Sequence, residues 1–163
     1  MPVVNAIEFF HHPSADSPAH PDQRVWGIRV DGTDLRTLVG EATYPLWRAE
    51  LAGEFDDEAE DERETTEQVR VQHDGLGVTE FEDHFRTAGD TVPLLGCSCG
   101  IWGCWPLMAR VTLTPTTVTW SSFRQPYREQ WGELAMGPYE FPRDAYEAAL
   151  AAPPVLDGDP LLP

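Results

Sequence analysis

The stretch 94–106, Leu-Leu-Gly-Cys-Ser-Cys-Gly-Ile-Trp-Gly-Cys-Trp-Pro, constrains the fold more than any other part of the chain. It holds all three cysteines and separates an apolar run, 92–99, from an alternating one, 107–114. In the second run Ala109, Val111 and Leu113 face away from Arg110 and Thr112, the period of a half-buried strand. Two such runs joined through glycines predict an antiparallel hairpin, with Gly100 and Gly103 free to take the positive φ of a tight connection. If 92–99 pairs with 104–114, Cys99 lies opposite Cys104, and Cys97, two residues back, points to the same face. All three sulfurs then converge on one side.

Three chemistries fit that cluster. Thiolates suit a metal, zinc above all, which then needs a fourth ligand; His11, His12, His20, His73 and His84 are the candidates, and spacing does not choose among them. Paired Cys-x2-4-Cys knuckles are missing, so Cys97 and Cys104 can equally be small buried residues of a strand pair. A reactive thiol needs a nearby base, and no histidine lies within ten residues. Cys97, Cys99 and Cys104 are therefore candidate metal ligands, with zinc the one cofactor the sequence suggests. Trp102, at the predicted turn tip, is the candidate contact residue for a partner.

A first strand is expected over 3–10, a loop over 11–23, and a half-buried strand over 24–30 with Trp26, Ile28 and Val30 on one face. Asp31-Gly32 makes a turn. Thr33 or Asp34 caps a helix carrying Leu35, Leu38, Val39 and Ala42, which Tyr44-Pro45 should interrupt before a short second helix. The run 54–67 carries nine acids and one arginine. On a helix it would set Asp57 against Asp61 and Glu60 against Glu64, so a solvated, mobile loop is expected. A strand at 68–72 and a turn at 73–77 follow. His73, Asp74, Glu80, Glu82, Asp83 and His84 crowd together there, but their spacing fits no known metal or acid–base motif and predicts a solvated turn and helix start. Strands at 107–114 and 118–123 complete a meander, 139–141 forms another short strand, and a helix opens at Pro142 with Ala145, Ala148, Ala149 and Leu150. The segment 153–163 reads as a tail. The order predicts one α+β domain over 1–152, with an antiparallel sheet of five to six strands and two or three helices packed on one face.

Composition bounds the partners. A net charge of −17 over 163 residues disfavours nucleic acid and allows a basic protein partner. All eleven bases are arginine, which excludes a Walker lysine. Neither a signal peptide nor a membrane-length apolar run is visible, so a cytoplasmic setting with reduced thiols is expected. No Gly-x-Ser-x-Gly elbow surrounds Ser121 or Ser122, and no dinucleotide fingerprint is present.

Cys97-Ser-Cys-Gly-x-x-Gly-Cys104, followed by Pro-Leu, Arg110-Val, Val118-x-Trp120 and Phe123, resembles a group of uncharacterised small bacterial proteins from GC-rich genomes. The resemblance covers about 92–150, extends loosely to the Val-Asp-Gly turn at Val30, and implies a bacterial cytoplasmic protein without implying an activity. The sequence reading is thus an acidic, non-catalytic protein-binding or inhibitory module. The alternative is a zinc-binding or thiol-dependent enzyme using the cysteine hairpin.

Overall fold

The strand expected at 24–30 is the centre of a three-stranded antiparallel sheet in the computed structural model, which describes residues 4–14 and 23–162. It is β2 (Arg24–Val30), flanked by β1 (Ile7–Pro13) and the two-residue β3 (Thr33–Asp34). Val25, Trp26, Ile28 and Val30 are all buried. Gly27 is required in this strand because the Phe10 ring lies over it; a Cβ there would fall 2.1 Å from that ring. The Asp31-Gly32 turn is present, with positive φ at both residues (51° and 82°), as a two-residue hairpin demands. β1 starts later than expected and runs on through His11 and His12 to Pro13, shortening the expected loop. Residues 15–22, with His20, lie outside the described residues.

Asp34 caps α1 (Leu35–Leu51), its carboxylate accepting from the Arg36 backbone N–H at 2.9 Å. The expected break at Tyr44-Pro45 does not occur. Leu35, Val39, Thr43 and Trp47 continue one buried face across it. Pro45 and Glu41, whose carbonyl the proline leaves unbonded, are both exposed, so packing outweighs a local cost that water can offset.

The acidic run is corrected from loop to helix. α2 spans Glu58–Val71 and absorbs most of the strand expected at 68–72. The like-charge argument fails because two of the carboxylates serve the backbone. Asp57 stands outside the helix as its N-cap, accepting from the Glu60 N–H at 2.7 Å. Asp61 is buried and accepts from the Gly53 and Phe55 N–H groups at 3.1 and 3.2 Å. Acids in the first turn also favour the positive end of the helix dipole. Thr65, fully buried, bonds back to the Asp61 carbonyl as α2 packs on α1.

The second sheet has five antiparallel strands in chain order: β4 (His73–Asp74), β5 (Gly89–Cys97), β6 (Leu107–Leu113), β7 (Thr117–Arg124) and β8 (Tyr139–Pro142). The expected meander is its centre. α3 (Arg143–Ala151) follows β8 and buries Tyr146 and Leu150, whereas Ala145 and Ala148 of the expected face are exposed. Phe9 of β1 meets Trp120 of β7 and Tyr146 of α3 edge-on, with ring centroids 6.3 and 5.3 Å away, which locks the two sheets around one aromatic core. The architecture is α+β, with three helices among the described residues. No helix among them is long and apolar enough to cross a membrane.

The expected C-terminal tail is docked. His11 donates to the Pro154 carbonyl and accepts from the Leu156 N–H, both at 2.8 Å, so the segment runs along the free edge of β1.

Candidate metal centre

The three sulfurs do converge, by a route different from the strand pair expected. β5 ends at Cys97, which pairs with His73 of β4, and the last β5–β6 partners are Leu95 and Leu107. Between them the chain makes a turn at Gly100 (φ 92°) and then a single 3-10 turn, Trp102–Cys104. The Gly100 N–H reaches the Cys97 carbonyl and the Cys104 N–H the Ile101 carbonyl, at 3.3 and 3.0 Å. Cys97, Cys99 and Cys104 thereby bring their sulfurs within 4.8 Å of one another. Gly96 is obligatory beneath this loop, since a Cβ there would lie 2.9 Å from the Trp102 Cβ.

All three cysteines are free thiols. Cys99 and Cys104 are exposed and Cys97 is half-buried, which corrects the reading of Cys97 and Cys104 as packed core residues. Burial pushes the Cys97 thiol up to about 11. A backbone hydrogen bond with Ile101, aided by the neighbouring Cys97, holds Cys99 below the ordinary thiol value. Trp102 is not the exposed tip. It is half-buried, edge-on to Phe81 at 5.4 Å, and Ile101 is the exposed apolar residue, at 69%.

No described histidine joins the sulfurs within that 4.8 Å. His73 pairs with Cys97 in the sheet, but its ring is buried and bonded to the backbone of Gly96 and Trp105. Burial drives it down to about 4, so it is neutral at pH 7. His84 contacts the Pro93 carbonyl, and His11 stands edge-on to Trp26 at 4.5 Å. The centre's support is instead Gln72, which accepts from Trp47 and Trp105 at 3.1 and 3.4 Å and donates to Thr43 at 2.9 Å. That network ties the residue after Cys104 to both long helices. A cavity of about 300 Å³ opens beside the loop, with Cys97 and Trp102 on one wall and Asp74, Ser14 and Arg24 among its other lining residues.

The six residues crowded between His73 and His84 divide. Glu80, Glu82 and Asp83 are exposed, as a solvated turn requires, but Asp74 is 4% exposed. It meets His12 of β1 and Asp159 of the C-terminal segment, with one donor atom from each within 4.8 Å. This second group was not visible in the sequence because its members are far apart and two of them fell in an expected loop and tail.

Chemically, the thiol group offers soft sulfur donors on a preformed turn, and no described histidine or carboxylate joins all three sulfurs within 4.8 Å. Comparison with known protein families, curated proteins and solved structures finds no match for this chain.

Proposed function

We propose that the chain is a metal-binding protein in which Cys97, Cys99 and Cys104 hold one zinc ion, with the fourth position left to a ligand from outside the turn. The convergence of three free thiols, two of them exposed, carries this reading. Zinc bound at about 2.3 Å from each thiolate sets the sulfurs about 3.8 Å apart, a small contraction of the turn. Exposure favours a ligand role over a packing role, since cysteines kept only for their volume are mostly buried. Cobalt(II) substitution tests it: thiolate-to-cobalt charge transfer with tetrahedral visible bands is expected, and both should vanish in Cys104→Ser. A spectrum unchanged by that substitution contradicts the proposal.

A second reading, a protein-binding or inhibitory module, is supported by α2. Its buried side is spent on α1, while Glu54, Asp56, Glu58, Glu62, Glu64 and Glu67 project from it and the preceding loop to solvent. Such a face suits a basic partner. Charge reversal of Glu62, Glu64 and Glu67 should abolish capture of a basic partner under this reading; capture that survives it removes α2 from the interface.

A further inference from the structure

We infer that His12, Asp74 and Asp159 form a second cation site, built of hard donors, that takes one divalent first-row ion of the Mn2+ class. Three separate parts of the fold build it: β1 supplies His12, β4 supplies Asp74, and the docked C-terminal segment supplies Asp159. One donor atom from each lies within 4.8 Å of the others.

The independent sign of a ligand is His12 itself. Its side chain is fully buried, and its Nδ1 sits 2.9 Å from the Pro13 carbonyl. A carbonyl only accepts, so Nδ1 carries the proton and Nε2 presents a lone pair. That Nε2 is buried without a hydrogen-bond partner. Leaving such an atom unsatisfied costs about 1–3 kcal/mol, and a backbone carbonyl on the far ring nitrogen is the usual way a ligating imidazole is oriented.

The carboxylates are oriented in the same manner. Asp74 accepts from the Ser14 hydroxyl at 3.0 Å and from the Gly75 N–H at 2.8 Å. Asp159 is gripped by both terminal nitrogens of Arg36, at 2.8 and 2.9 Å, and by the Leu161 N–H at 2.9 Å. Burial raises the Asp159 carboxyl, but the Arg36 and Leu161 bonds outweigh it, so the group is ionised well below neutral pH. Arg36 also pairs with Asp34 at 2.9 Å. Asp34 and Asp159 thus share one guanidinium, and Asp74 sets a further carboxylate within 4.8 Å of Asp159. Mixed imidazole and carboxylate donors select Mn2+, Fe2+ or Zn2+ over soft ions, so this site and the thiolate turn divide metals by softness.

Because the thiolates play no part in it, the test begins by removing them. Mn2+ is titrated into the full chain carrying Cys97→Ser, Cys99→Ser and Cys104→Ser, with free Mn2+ read by electron paramagnetic resonance. Saturable uptake of one ion is expected, weakened at least about tenfold by His12→Gln and by Asp159→Asn. Since these buried changes can unfold the chain, the unaltered protein supplies a second reading. Substoichiometric Mn2+ should broaden the ring resonances of His12 while sparing those of His84. Absence of saturable uptake, uptake indifferent to both substitutions, or broadening that spares His12 overturns the site.

Discussion

The thiolate turn and the His12–Asp74–Asp159 group are both clusters of three donors within 4.8 Å, yet they are built in opposite ways. The first comes from eight consecutive residues on a surface loop whose glycines and 3-10 turn fold locally. The second joins the first strand, the middle of the chain and its end, in the interior beside a paired guanidinium. A local cluster tolerates change because little else depends on it. A distant one is held by the whole fold, and the fold is held by it in return.

That contrast predicts unequal consequences. Arg36→Ala should be the most damaging change, because it leaves Asp34 and Asp159 as uncompensated buried charges. A loss of about 3–5 kcal/mol in urea unfolding is expected. In metal-free protein, Cys99→Ser should stay within about 0.5 kcal/mol of the parent. Equal losses would erase the distinction.

Acid should act next, from beneath the turn. His73 is neutral in the folded chain down to about pH 4, while the unfolded chain binds its proton near 6.5. Between those values the unfolded state holds more protons, so the stability His73 preserves at neutral pH is lost as pH falls. The steepest slope is roughly 1.4 kcal/mol per pH unit. Urea midpoints measured across that window should decline, and His73→Gln should flatten the decline.

A smaller loss, about 1 kcal/mol, is expected for Asp57→Ala, which removes the α2 cap. An unchanged urea midpoint would return 54–67 to the solvated loop its charge pattern suggests. Smallest of all should be the effect of alkylating Cys99. It should react before Cys97, whose thiol is raised by burial, without altering the unfolding midpoint. Mass spectrometry of partially labelled protein reads the order directly.

What the sequence made legible follows the same division. The alternation in 107–113, the Asp31-Gly32 turn, the meander and the convergence of three sulfurs are all encoded within a few neighbouring residues. The acidic run misled because pairwise repulsion along a helix says nothing about where a carboxylate is used. Asp57 and Asp61 are bonded to backbone N–H groups that only the folded α1–α2 corner presents. Pro45 misled because its cost is local, whereas the face formed by Val39, Thr43 and Trp47 is tertiary. Trp102 looked exposed from its place between two glycines, and only Gly96 packing beneath it shows why it is half-buried. His12 and Asp159 carried no local signal at all; their meeting depends on β1 offering an edge to the C-terminal segment.

The central claim, that the thiolate turn is a metal centre, is tested most directly by the zinc content of the full chain purified without chelator. A zinc content that falls by one per chain when Cys97, Cys99 and Cys104 are all changed to serine is the predicted result. Near-zero zinc with three titratable thiols, or a zinc content unchanged by the serine substitutions, would contradict it.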